Sequence, residues 1–79
     1  MQKLSYAQER LRQILPQEIE SLEIEIANLI QELSDPCLYQ NNPTKFDSVS
    51  TELMLKQQEK ALKEEQWLEL ELKKEQLNA

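Results

Sequence analysis

With 79 residues, no glycine, no histidine and four aromatic side chains, the chain can form one small domain but cannot enclose a deep catalytic cavity. The missing histidine removes the commonest general base and metal ligand, and a single cysteine allows neither an internal disulfide nor a thiolate cluster. A formal charge of −6 opposes contact with phosphate unless the basic residues are gathered in one place.

Ser5 followed by Gln8 is a capping-box pattern, in which a hydroxyl and a side-chain amide oxygen each accept from a free backbone N–H, so a helix is predicted to start near Tyr6. Leu15, Ile19, Leu22, Ile26, Leu29 and Leu33 then recur at alternating steps of four and three. That rhythm puts them on one narrow stripe, the seam of a coiled coil. Pro16 lacks an N–H and its ring presses on the preceding turn, which predicts a kink. The consecutive steps of four from Leu11 to Leu15 to Ile19 predict a stutter at the same place.

Two acceptor–proline pairs follow, Asp35-Pro36 and Asn42-Pro43. In each, the first residue suits an N-cap and proline suits the first helical position. They predict a short helical turn over 36–39 and a second long helix from Pro43. Leu38 and Tyr39 are expected to fold over the tip. Phe46, Val49 and Leu53 restart the stripe, but the next seam positions hold Lys56, Lys60 and Lys63 before Trp67 and Leu70 restore it. Lysine can lay its methylenes along a seam and lift its ammonium into water. A neighbouring face through Met54, Ala61 and Leu68 is expected to share the burden.

The fold class expected is all-α: a two-helix antiparallel coiled-coil hairpin with a kink near Pro16 and a proline-capped turn at about 34–43. Residues 1–79 would form a single domain, with helix A over about 6–33, turn 34–42 and helix B over about 43–77. At about 1.5 Å per residue each arm would reach roughly 40 Å. Reflection about the turn sets Leu29 against Leu53, Leu15 against Trp67, Leu22 against Lys60 and Ile26 against Lys56, with Glu18, Glu23 and Glu25 near the ammonium groups. The lysines read either as seam residues held by these carboxylates or as a nucleic-acid face. A monomer is expected.

Between Arg12 and Lys45 there are six acidic residues and no basic one. Lys3, Arg10, Arg12, Lys73 and Lys74 would instead meet at the open end of the hairpin, where they are the candidate nucleic-acid contacts. Glu9, Glu69, Glu71 and Glu75 lie close by and dilute them, so a solvated mixed face is the competing reading. Trp67 reads as core packing beside Pro16 or as a stacking platform for a base. Cys37 lacks any neighbouring base and reads as a bystander, and Ile24 falls outside the stripe. No catalytic, cofactor-binding or metal-binding residues are predicted. No cleavable leader pattern and no apolar run of the roughly 20 residues needed to span a bilayer occurs, so a cytoplasmic location away from membranes is expected.

The K-L-S-Y at residues 3–6, the L-P-Q-E-I-E-S-L-E-I-E-I run from Leu15 to Ile26, the L-S-D-P-C-L-Y turn, N-P-T-K-F and the late Q-W-L-E-L-E together resemble the C-terminal coiled-coil domain of Uup-type ABC-F ATP-binding proteins. The resemblance implies a non-catalytic arm, part of a larger soluble ATPase whose ATP and Mg would bind in upstream ABC cassettes. It also implies a family of ribosome-associated translation factors in which this arm is linked to DNA binding, so DNA or ribosomal RNA and the cassettes of the same chain are the implied partners. Two features depart from the family pattern: lysines at Lys56, Lys60 and Lys63 in place of leucine or alanine, and the strong acidity. No Walker or signature motif is present. Two other readings are the tRNA-binding coiled-coil arm of valyl-tRNA synthetase, normally richer in lysine, and a free-standing adaptor or dimerisation coiled coil.

Overall fold

A computed structural model describes residues 3–78; the ends of the expected 1–79 domain lie outside it. The described residues form three helices and no strand: α1 (Tyr6–Leu33), α2 (Leu38–Asn41) and α3 (Pro43–Asn78). The chain is all-α, as its periodicity predicts.

Each boundary has a local cause. At the start of α1 the Ser5 hydroxyl accepts from the Gln8 N–H at 3.1 Å while the Gln8 side-chain oxygen accepts from the Ser5 N–H at 3.0 Å. Both arms of the capping box are therefore made. At the far end the Ser34 hydroxyl donates to the Gln31 carbonyl at 2.6 Å. Asp35 behaves differently from expectation: its carboxylate accepts from the Cys37 N–H at 2.9 Å, closing an Asx-turn. That bond holds Pro36 and Cys37 in the turn, and the helical turn falls at Leu38–Asn41 rather than 36–39. Asn42 does cap α3, its side-chain oxygen accepting from the Lys45 N–H at 3.0 Å with Pro43 at the first helical position. No described residue has positive φ, so the connection is built without the conformation that glycine serves.

Packing of α1 along α3 makes the core. Leu15, Leu22, Val49 and Leu70 are buried, each side chain stabilising the fold by about 1.5–3 kcal/mol. Between them the seam runs through Lys56, Lys60 and Lys63, which are partly buried, so the heptad is kept without its hydrophobicity. The neighbouring face does not share the burden: Met54 is 52% exposed, Leu68 54% exposed, and Ala61 is exposed as well. Towards the start of α1, Leu11 also turns outward while Arg12 and Gln8 are partly buried. The steps Gln8, Arg12, Leu15 and Ile19 keep the alternation of four and three, and the stutter expected from Leu11 is absent there.

The lysines are met by carboxylates in reversed order: Glu18 by Lys63, Glu23 by Lys60 at 3.5 Å and Glu25 by Lys56 at 3.0 Å. Every pair lies within one residue of the reflection drawn from the sequence. The molecule measures 61 × 18 × 14 Å, longer than the roughly 40 Å expected. The 36 residues of α3 span about 54 Å by themselves at the helical rise. At the tip Leu38 is partly buried, and the Tyr39 ring meets Phe46 edge-on at 5.2 Å.

Replacing Leu15 or Leu22 by Ala is expected to cost about 2–4 kcal/mol in urea unfolding. The same truncation at exposed Leu62 should stay within about 0.5 kcal/mol. Lys60→Leu should raise the unfolding free energy by about 1 kcal/mol, because an apolar side chain gains from partial burial where an ammonium does not. Asn42→Ala should cost about 1 kcal/mol through the lost cap.

Candidate functional site

The five candidate cations divide into two groups. Lys3 precedes the Ser5 cap, Arg10 lies on α1 and Lys73 on α3, and all three are exposed. Arg12 and Lys74 are partly buried and face carboxylates. Arg12 donates from Nη2 and Nε to Glu9 Oε1 at 2.7 and 3.2 Å, and from Nη1 to Glu71 Oε1 at 2.7 Å. Lys74 Nζ sits 3.6 Å from the same Glu9 oxygen. The guanidinium thus joins α1 to α3 near the open end, and the rigid fork of arginine suits this two-sided contact better than a point charge would.

Electrostatics follows the geometry. Hydrogen bonds donated to Glu9 and then to Glu71 raise the Arg12 pKa, holding the guanidinium charged. The hydrogen bond from Arg12 in turn holds the Glu9 carboxyl below its ordinary value. Along the seam the hydrogen bond with Glu25 raises the pKa of Lys56. Arg12 and Lys74 therefore fix the helices together, whereas Lys3, Arg10 and Lys73 stand free of the seam for an outside anion.

From the sequence Glu9 and Glu71 read only as diluting the basic patch, and the structure makes both of them partners of Arg12. The spacing of Glu9 to Arg12, combined with reflection of Arg12 onto Glu71, carries the signal, since each places a carboxylate within reach of the guanidinium. Trp67 is partly buried and shares a shallow recess of about 360 Å³ with Pro16, Ile19, Glu64 and Leu68, which favours its packing role beside the proline. A second recess of about 580 Å³ near the tip is lined by Asn28, Gln31, Glu32, Asp35, Leu38 and Lys45. Cys37 and Ile24 are exposed. Among the described residues no group of three or more metal-ligating side chains forms, and no helix is long and apolar enough to cross a membrane. The arrangement offers charge and apolar surface to a partner.

Because Glu9 has its pKa lowered by folding, the stabilisation it provides is present above its ordinary value of 4.5 and is lost as pH falls through the lowered folded value. Thermal melts across this range should find the stability gap between the native chain and Arg12→Gln narrowing with acidification. A gap that stays constant would mean that Arg12 acts through packing alone.

Comparison with curated proteins gives no match, and comparison with solved structures gives none. Residues 3–72 match a family described as the ABC transporter C-terminal domain, a span that includes the Ser5 cap, the Asp35–Pro43 turn, the lysine seam and Trp67. On a match of that extent, joined to the all-α fold, the chain belongs to the ABC transporter C-terminal domain family, an accessory region of ABC transporter-type proteins.

Proposed function

We propose that the chain is the non-catalytic C-terminal arm of an ABC-F ATPase of the Uup type, acting as an accessory element in nucleic-acid or ribosome engagement. The arm is an antiparallel coiled-coil hairpin, monomeric and cytoplasmic, bent where Pro16 faces Trp67. ATP and Mg belong to cassettes elsewhere in the parent protein, against which the arm also packs. The observation that carries this reading is the family match over residues 3–72, and the reversed order of the ion pairs supports the hairpin.

Contact with DNA or ribosomal RNA falls to Lys3, Arg10 and Lys73. They are exposed on the segments whose pairing Arg12 enforces. Arg12 and Lys74 take a supporting part, because their charges are already answered at short range by Glu9 and Glu71. The acidic stretch through Glu18, Glu20, Glu23, Glu25 and Glu32 keeps the rest of α1 away from phosphate, which orients the arm base-first on a polyanion.

Titration of the chain into labelled DNA and RNA at two salt concentrations tests this reading. Binding is expected at low salt and should weaken as salt rises. Changing Lys3, Arg10 and Lys73 to Glu should abolish it, and each single neutralisation should lower the log–log salt slope by about 1. No binding at low salt, or binding indifferent to all three charge reversals, refutes the nucleic-acid role.

A further inference from the structure

The lysines of α3 are all directed inward over the stretch from Met54 to Leu72. That stretch contains three lysines and no arginine, and Lys56, Lys60 and Lys63 are each partly buried against carboxylates of α1. The outward side carries the opposite sign: Glu65 and Glu69 are exposed there and, among the described residues, have no ion-pair partner, while Glu59 and Glu64 flank the seam beside the lysines. Helices more often put lysine and glutamate together on the solvent face. Here the cations are withdrawn from it.

The same outward side is apolar. Met54 is 52% exposed, Leu55 55%, Leu62 63%, Leu68 54% and Leu72 50%. At about 100° per residue these side chains fall within an arc of roughly 140° centred opposite the lysine seam, with Glu65 and Glu69 inside the arc. They run for about 27 Å along the helix at 1.5 Å per residue. Leu55 and Leu62 are seven residues apart, as are Met54, Ala61 and Leu68. A seven-residue beat is the spacing that a second helix reads.

We propose that the outer face of α3 from Met54 to Leu72 is a docking strip for a basic, amphipathic α-helix of a partner protein. Apolar anchors of the partner cover the leucines while its lysines or arginines answer Glu65 and Glu69. Charge decides against the other occupants. A second copy would set Glu65 and Glu69 against their own kind, and a nucleic acid or an anionic lipid surface would meet carboxylates instead of cations. Lys73 follows the strip at its C-terminal end while Lys3 and Arg10 are on or before α1, and the assignment rests on the role of none of the three.

The full chain is to be titrated with three synthetic peptides: a helix with heptad leucines flanked by lysine, the same helix flanked by glutamate, and a scramble of the first with equal charge. The basic amphipathic peptide alone should bind, and more weakly as salt rises. Leu62→Glu combined with Leu68→Glu should lower affinity at least tenfold with an unchanged circular dichroism spectrum. Glu65→Lys combined with Glu69→Lys should do the same and serves as the deciding variant if the leucine changes disturb folding. Absence of binding, equal binding of the scramble or of the acidic peptide, or insensitivity to both double variants overturns the proposal. So does a concentration-dependent dimer in sedimentation that Leu62→Glu abolishes, since the strip would then belong to a second copy.

Discussion

One seam between α1 and α3 holds the molecule together, and almost nothing else does. A chain of this size buries too little surface to have redundant cores. Four side chains, Leu15, Leu22, Val49 and Leu70, are buried. Leu15 and Leu22 belong to α1, Val49 and Leu70 lie towards the two ends of α3, and between these last two the α3 side of the seam is made of lysine stems. On α3 the apolar burial is therefore concentrated towards the two ends, while in the middle Leu22 of α1 is covered by lysine stems.

Polar residues inside such a seam trade stability for definition. A leucine at Lys60 would slide past Leu22 or Ile26 with little preference, whereas an ammonium has to find a carboxylate and a path to water. Glu18 and Glu25 on one flank of the α1 stripe and Glu23 on the other each meet one of the three lysines in this alignment. Arg12 repeats the arrangement near the base by grasping Glu9 on its own helix and Glu71 across the gap. Register is thus specified twice by charge, once in the middle and once at the end. The same choice has a consequence outside, because cations spent within the seam cannot neutralise the glutamates on the outer side of α3.

Much of this was legible before any coordinates. The leucine and isoleucine beat identifies the buried stripe of α1, Ser5 and Gln8 mark its start, and Asn42-Pro43 marks the start of α3, because caps depend on a few adjacent atoms. Reflection about the turn located the partners of Lys56, Lys60 and Lys63 to within a residue, since ion pairs along two helices inherit the spacing of both. Local rules failed where two of them competed. Asp35-Pro36 has the chemistry of an N-cap and equally that of an Asx-turn, and the second prevails. Leu11 is more apolar than Arg12, yet Arg12 takes the inner position because Glu71 waits across the gap. Hydrophobicity alone likewise favours Met54 and Leu68 over lysine, and only the position of the partner helix decides against it. Of the candidate site, the cations could be named from sequence, but their division into exposed and engaged required knowing where Glu9 and Glu71 stand.

Cys37, exposed in the connection between the long helices, gives the chain one natural handle. It is separated from Arg12 by most of the length of α1. A thiol-reactive probe placed there modifies neither the seam nor the base. A photo-crosslinker or fluorophore on this sulfur would report on whatever the distal end of the arm reaches, with no residue engineered in and none taken out.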